Sequence, residues 1–243
     1  MIIGDGVMLG AGGEKASIQV LGVSQTDTVT CTKDGKRYKG TWFSEQKQTQ
    51  VDKEIPKMTS NTTPSGVASS ASNYDSNYVA WKAFDKNAVL SNGWSPPYNA
   101  SLSTTYCQYE FADPIVPTQI QIGFGGNGYS FTVKASLDGT SWDTLASNIS
   151  NSRGNWSTKE ISTNSYYKYY RFYMVGASNG TGSGAGHKFN VTGYTLEDVT
   201  VEGFEFKVNQ YGTYTITATD GTNTATQDVL VDAAEVFTVE VTL

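Results

Sequence analysis

The sequence predicts an all-β protein built from two β-sandwiches, and three observations support this prediction. Short runs of residues alternate apolar and polar side chains with the period of two that a half-buried strand requires. These runs are rich in β-branched and aromatic residues, and Asp-Gly pairs at Asp34, Asp138 and Asp220 separate them as hairpin turns. Helical periodicity is nearly absent, apart from a turn or two near residues 79–84.

The strand pattern is clearest in eight segments, and two other stretches look like connections. The eight segments are 17–23, 28–32, 119–124, 129–135, 168–175, 204–208, 213–219 and 236–242. Residues 47–57 are polar and contain a proline, which is typical of a connector between domains, and residues 176–186 form a glycine-rich loop. Residues 1–14 hold no convincing strand; we interpret them as an arm that orders against a partner, with a disordered terminus as the alternative.

Composition and charge exclude several classes of protein. The 243 residues include 17 Lys and Arg against 23 Asp and Glu, so the net charge of −6 disfavours nucleic acid as a partner. Two cysteines and one histidine cannot supply a zinc site of the usual kind or a disulfide framework. No apolar run approaches the roughly 18 residues that span a membrane. The first residues also lack the pattern of a secretory signal.

The two ends of the chain are predicted to form one sandwich together. Residues 15–50 offer about three strands and residues 197–243 about four, near the seven of an immunoglobulin-like (Ig-like) domain. The segment around Gly212-Thr213-Tyr214 resembles the closing hairpin of bacterial and phage Ig-like domains, with Tyr214 at the tyrosine corner. Ile216 stands where antibody domains carry their second cysteine, so the resemblance implies that Cys31 is a buried small residue facing Ile216.

Residues 51–196 carry a second set of motifs. An Ala-Phe-Asp at 83–85 precedes Trp94, and a Tyr-Glu-Phe stands at 109–111 before a strand. A Ser-x-Asp-Gly-x-x-Trp motif follows at 136–142, and the segment Tyr-Arg-Phe-Tyr lies at 170–173. In this order they resemble the discoidin, or coagulation-factor type C, domain and the galactose-binding-like carbohydrate modules of the same jelly-roll fold. The resemblance implies a jelly-roll inserted into the Ig-like sandwich, with these motif residues in its core and turns.

Binding in that family lies on loops at one edge of the sandwich. Aromatic rings stack on the apolar face of a pyranose, and Arg, Asn and Asp bind its hydroxyl groups. Loop 151–156 holds an Arg and a Trp without aliphatic neighbours, and segment 73–78 holds two tyrosines around an Asp. The alternative is an ordinary polar loop edge. The candidate glycan-binding residues are Arg153, Trp156, Asn155, Tyr74, Tyr78 and His187.

The resemblance also implies a structural Ca²⁺ ion near the Ala-Phe-Asp turn. Asp85 and Asn87 are oxygen ligands at the expected place, and backbone carbonyl groups lie nearby. Glu197 is the nearest candidate for the distant acidic ligand, although the sequence has no clear counterpart of that residue.

Catalysis is not expected from the sequence. The acidic residues are scattered singly, no Gly-x-Ser-x-Gly motif is present, and the lone histidine has no evident partner. The glycine-rich run 123–128 connects two strands, whereas a phosphate-binding loop should open a helix.

The Ig-like segment, the displayed discoidin-like module and the missing export signal together resemble bacteriophage virion proteins. They predict a virion-surface protein, a capsid decoration or tail accessory, that binds host-surface polysaccharide weakly and in many copies. The arm would bind a phage capsid or tail protein. Two alternatives stay open: a purely structural decoration or assembly protein, and an accessory module of a secreted bacterial glycosidase or adhesin.

Overall fold

The computed structural model describes residues 16–97, 101, 104–177 and 185–243. The predicted arm at 1–14 and the centre of the glycine-rich loop 176–186 lie outside these residues.

The described residues form fourteen strands and one short helix, so the all-β prediction is confirmed. The strands are β1 (Ala16–Leu21), β2 (Thr28–Lys33), β3 (Lys36–Tyr38), β4 (Gly40–Glu54), β5 (Val67–Ser70), β6 (Tyr106–Phe124), β7 (Tyr129–Ser136), β8 (Asp143–Ser150), β9 (Trp156–Glu160), β10 (Tyr167–Ala177), β11 (His187–Val208), β12 (Gly212–Thr219), β13 (Thr224–Val231) and β14 (Val236–Glu240). A 3₁₀ helix spans Ala80–Phe84, where the sequence predicts a helical turn. None of the helices in the described part of the chain is long and apolar enough to cross a membrane.

The chain divides into two compact units. The first unit comprises residues 1–49 and 198–243, and the second comprises residues 50–197. The sequence places these boundaries at 50/51 and 196/197. Strand β4 crosses the first boundary and strand β11 crosses the second, so each of them contributes residues to both units.

The first unit has two four-stranded sheets around one core. Strands β14, β1, β11 and β4 form one sheet in that order, and β13, β12, β2 and β3 form the other. Alternate side chains of both sheets are buried together, among them Ile18, Phe206, Cys31 and Ile216. Cys31 pairs directly with Ile216 in the sheet register and is fully buried. The thiol is therefore a small apolar core group, and burial raises its pKa to about 12.

A tyrosine closes this core in the manner that the sequence predicts. The Tyr214 ring is buried, and its hydroxyl group donates a hydrogen bond to the Gln210 carbonyl oxygen at 2.8 Å. The ring packs edge-on against Tyr38 at a centroid distance of 5.1 Å. A buried phenol needs such a partner because an unpaired hydroxyl group inside a protein costs free energy.

The second unit is also a two-layer sandwich. Strands β5, β6, β10, β7 and β8 form one sheet, and β9, β6, β11 and β4 form the other. The long strand β6 belongs to both: it pairs with β10 up to Ile115 and with β11 from Val116 onward. Pro114 and Pro117 flank this switch, where the missing amide donors interrupt continuous pairing.

Aromatic rings from both sheets and the 3₁₀ helix fill the core of the second unit. Phe172 on β10 stacks on Phe189 on β11 with ring centroids 4.3 Å apart. Phe84 and Trp94, which the motifs place in the core, are buried against these rings. The Trp94 indole donates to the Ser72 carbonyl oxygen at 3.0 Å. This core holds the loops of one edge in place.

One predicted connection is a strand instead. Residues 47–54 of the expected connector 47–57 belong to β4, which pairs with β11. Their side chains are mostly exposed, so the apolar alternation that identifies a strand is missing. Backbone pairing with β11 stabilises this polar strand.

Candidate functional site

Three loops of the second unit converge at one edge of its sandwich: loop 88–95, loop 124–128 and loop 151–156. Gly125 lies so close to the first of these that a Cβ atom there would be 2.8 Å from the Ser91 Cα atom. The Arg153 amide donates to the Asn127 side-chain oxygen at 2.7 Å, and the Gly154 amide donates to the Phe124 carbonyl oxygen at 2.7 Å. We call this arrangement the loop edge.

Trp156 is the most prominent aromatic side chain of the loop edge. It begins β9, and 44% of its surface is exposed. Its indole lies over Gly123: a Cβ atom there would be 3.0 Å from two ring carbons and 2.7 Å from the Leu90 side chain. The ring therefore has a firm support on one side and solvent on another.

The Arg153 guanidinium, three residues before Trp156 in the same loop, is available to a ligand. Its side chain is exposed and forms no ion pair or hydrogen bond with any other described residue. The loop that carries it is held from within, since the Asn151 side-chain Nδ2 donates to the Trp156 carbonyl oxygen at 2.8 Å. The Asn155 side chain donates to the Ser152 carbonyl oxygen at 3.5 Å, which leaves its oxygen exposed.

Tyr74 and Tyr78 form a second aromatic group. Their rings meet edge-on with centroids 5.6 Å apart, and Tyr74 is 42% exposed. The Tyr74 amide donates to the carbonyl oxygen of Ser95, at the end of loop 88–95. Loop 88–95 thus lies next to both predicted groups: Leu90 and the Trp156 indole both adjoin Gly123, and Ser95 anchors Tyr74.

His187 is placed differently from the sequence-based expectation. It is fully buried, with its ring 4.7 Å from Tyr129 and 4.9 Å from Phe131 between centroids. Neither ring nitrogen has a hydrogen-bond partner among the described residues, and burial lowers the pKa of His187 to about 3. The prediction that His187 lines the binding edge is therefore corrected: the imidazole is a neutral core ring behind that edge.

The turn that the resemblance assigns to Ca²⁺ holds a lysine. Lys188 on β11 is 1% exposed, and its ammonium group donates to the Asp85 Oδ1 atom at 2.5 Å. It also donates to the carbonyl oxygens of Lys82 and Asn92, both at 2.7 Å. Burial lowers the pKa of Lys188 and the Asp85 carboxylate opposes that shift.

The residues around Asp85 do not fit a calcium ion, which takes six to eight oxygen ligands at about 2.3–2.6 Å. The Lys188 ammonium already lies among the three oxygens that converge there. Asn87 uses its side-chain oxygen to accept a hydrogen bond from the Val89 amide at 2.9 Å. Glu197 is half-exposed and pairs with Lys53 at 3.2 Å. Within the described ranges, no three His, Cys, Asp or Glu side chains are placed to hold a metal ion.

A further group of polar and aromatic side chains escaped the sequence reasoning. The Arg171 guanidinium on β10 lies 3.9 Å from the Trp142 ring and 4.3 Å from the Tyr106 ring. It donates to the Gln108 side chain at 2.7 Å and to the Tyr173 hydroxyl oxygen at 3.3 Å. Because the guanidinium contacts two aromatic rings and two hydrogen-bond acceptors, the group stabilises the sheet surface. The alternation in 168–175 predicts an outward Arg171, but Trp142 and Tyr106 come from other strands and turns.

Two cavities of the second unit lie at the end of β6 and β11 away from the loop edge. One of about 490 Å³ is lined by Asp52, Lys53, Glu54, Thr118, Thr192 and Gly193. Gly193 pairs with Pro117, seven residues along β6 from Phe124, so roughly 20 Å of strand separates this cavity from the loop edge. Residues near it can therefore serve as controls for the loop edge.

No protein-family model and no curated protein matches this sequence. Solved structures with a similar fold include carbohydrate-binding modules. One is the family 32 module of Clostridium perfringens NanJ in complex with galactose, with 14% identity, a TM-score of 0.44, and coverage of 58% of this chain and 99% of that module. Another is a Clostridium perfringens module in complex with GalNAc-β-1,3-galactose, with 13% identity, a TM-score of 0.41, and coverage of 52% and 94%.

A third similar structure is a chitosan-binding module of a Paenibacillus chitosanase/glucanase, with 16% identity, a TM-score of 0.40, and coverage of 60% of this chain and 97% of the module. A family 89 glycoside hydrolase of Clostridium perfringens shares 19% identity at a TM-score of 0.41 over 58% of this chain, which spans 15% of that enzyme. Similarities at this level carry no conclusion about the ligand of this chain.

Proposed function

We propose that the second unit is a non-catalytic glycan-binding module and that its ligand lies on the loop edge. The observation that carries this proposal is the pairing of an exposed, supported aromatic ring with an unpaired cation. Trp156 is fixed on Gly123 and Leu90, and Arg153 stands three residues away in the same loop with its guanidinium free among the described residues.

This pairing suits a sugar ring. The indole stacks on the C–H face of a pyranose, while the fork of the Arg153 guanidinium donates to neighbouring hydroxyl groups. Asn155 offers an exposed amide oxygen as an acceptor. Tyr74 and Tyr78, across loop 88–95, extend the surface for a second sugar unit. Among the similar structures, one module is in complex with galactose, one is in complex with GalNAc-β-1,3-galactose, and one is a chitosan-binding module.

An exposed edge of this kind binds one sugar weakly, so the proposal includes display in many copies. We assign that display to the surface of a phage virion, with host cell-surface polysaccharide as the ligand. The support for this placement is the sequence resemblance to phage Ig-like domains and the N-terminal arm, which lies outside the described residues. Deleting residues 1–14 should abolish incorporation into particles; unchanged incorporation would remove the arm from the proposal.

The two other functions make different demands on the loop edge. A purely structural decoration protein needs no ligand there, so substitutions at Arg153 and Trp156 would leave its role intact. An accessory module of a secreted glycosidase or adhesin would bind sugar with the same residues but would act next to an enzyme or on a cell surface. Sugar binding by the protein would therefore exclude the purely structural role. The location of the native protein would distinguish a virion protein from an accessory module of a glycosidase or adhesin.

The direct test is a glycan array probed with the full chain displayed multivalently. The double variant Arg153→Ala/Trp156→Ala should lose at least about tenfold in apparent affinity, because it lacks both the stacking ring and a charged donor. The control Arg37→Ala/Tyr166→Ala removes an exposed Arg of the first unit and an exposed Tyr beyond the far end of β9. Equal binding by wild type and double variant, or no binding by the wild type at high valency, would contradict the proposal.

A further inference from the structure

A buried lysine with three oxygen acceptors defines a cation position within the second unit. An ammonium group has three N–H donors and no acceptor. Lys188 meets one carboxylate oxygen and two carbonyl oxygens, at 2.5, 2.7 and 2.7 Å, so each donor has a partner. The side chain is 1% exposed and Asp85 is 8% exposed. All three acceptor oxygens therefore bind the same ammonium group.

The three acceptors come from two segments of the chain that meet at this ammonium group. Lys82 belongs to the 3₁₀ helix, Asp85 follows that helix directly, and Asn92 lies in loop 88–95. They are 96–106 residues before Lys188 in the chain. The Asn87 amide also donates to the Asp85 Oδ1 atom, at 2.8 Å, which orients the carboxylate.

The other lysines near Asp85 bind other partners. The Lys82 side chain donates to the Asn77 carbonyl oxygen at 2.8 Å, and the Lys86 ammonium pairs with Glu54 at 2.6 Å. The adjacent His187 is a neutral core ring. Lys188 is therefore the cation that the Asp85 carboxylate faces in the described part of the chain.

We infer that the Lys188 ammonium is a built-in cation that occupies the position where a metal ion would hold the Asp85 turn, so that the second unit is stable without calcium. This inference starts from the finding that the residues around Asp85 do not fit the Ca²⁺ ion that the resemblance implies. Removing the ammonium would leave one carboxylate oxygen and two carbonyl oxygens without a positive charge between them, and a small cation could then bind them. Asp85 also lines a surface cavity of about 480 Å³ with Trp81 and Lys86, which offers a route from solvent.

The first test measures thermal unfolding of the full wild-type chain in EDTA and in millimolar CaCl₂. Because the position is filled by Lys188, the two midpoints should agree to within about 1 °C. A rise of several degrees in CaCl₂ would overturn the inference, since it would reveal a calcium site in the native protein.

The second test removes the lysine. Lys188→Ala should lower the unfolding midpoint of the second unit by about 10 °C, because a buried carboxylate loses its partner. Millimolar CaCl₂ or methylammonium chloride should restore about 5 °C of that loss relative to choline chloride at equal ionic strength, because either small cation fits the vacated oxygens. Lys188→Met, which keeps the apolar stem without the charge, serves as a second variant if the first one does not fold.

Two variants control for other effects of charge. Lys82→Ala removes a nearby ammonium but keeps the carbonyl oxygen that contacts Lys188, so its midpoint should stay near the wild-type value and should not respond to CaCl₂. The double variant Lys188→Ala/Asp85→Asn lacks the carboxylate and should not respond to either cation. A foldable lysine variant that ignores both cations, or one as stable as the wild type, would overturn the inference.

Discussion

At the scale of single residues, His187 is expected to make the stability of the protein depend on pH. Its imidazole is fully buried without hydrogen-bond partners among the described residues, so folding keeps it neutral and lowers its pKa to about 3. The unfolded chain binds a proton below about pH 6.5, and the folded chain does not. The contribution is therefore fully present above pH 6.5 and is lost as the pH falls toward 3.

The prediction for His187 concerns the pH dependence of the free energy of unfolding. Between pH 7 and pH 5 the wild type should lose about 2 kcal/mol through this residue. His187→Phe keeps an aromatic ring among Tyr129 and Phe131 and should remove that part of the loss. Urea unfolding at both pH values measures it. The same pH dependence in wild type and variant would show that another group is responsible.

Both cysteines should be inert in the folded protein. Cys31 and Cys107 are free and fully buried, and burial raises the pKa of each thiol, that of Cys31 to about 12. Because only the thiolate reacts readily, a disulfide reagent such as DTNB at pH 8 should modify neither residue until the chain is unfolded in denaturant. Rapid modification of the native protein would contradict the burial of these side chains.

At the scale of elements, the loop edge depends on close packing of β9 against β6. Gly123 on β6 lies under the Trp156 indole, and a Cβ atom there would meet both this ring and Leu90. Gly123→Ala should therefore displace the indole and lower glycan affinity by several-fold, with a loss of stability of about 1–3 kcal/mol. Gln121→Ala, two residues earlier on the same strand, adds no atom under the indole and should leave the affinity unchanged. Unaltered binding by the Gly123 variant would mean that the position of the indole is unimportant.

At the scale of the whole molecule, the chain crosses between its two units twice. The crossings lie at residues 49/50 and 197/198, on strands β4 and β11, which pair with each other. The second unit thus begins and ends on adjacent strands, as the Lys53–Glu197 ion pair indicates. It also has its own aromatic core. These are the properties of a segment that tolerates insertion and excision.

Residues 50–197 should consequently fold as an independent protein. We expect cooperative thermal unfolding and the same affinity per glycan site as in the full chain, measured by calorimetry and titration with the array ligand. A molten or aggregated fragment would show that the first unit is needed for the core of the second.

Predictions from the sequence succeeded where burial follows alternation along the chain. In β7 and β12 buried and half-buried side chains alternate, and these strands were predicted from residues 129–135 and 213–219. The polar end of β4 was missed because its side chains are exposed on both faces. The loop residues Arg153 and Trp156 were predicted as exposed from their polar surroundings, and the structure places them on a solvent-facing loop.

The sequence by itself determined the strands with alternating burial, the Asp-Gly turns and the buried thiol, because each of these leaves a local pattern of side chains. Only the tertiary structure decided the roles of His187 and Lys188. The same short segment places an imidazole among aromatic rings and an ammonium on the oxygens of Lys82, Asp85 and Asn92. Whether a polar side chain can be buried depends on such partners, and these lie about a hundred residues away in the chain.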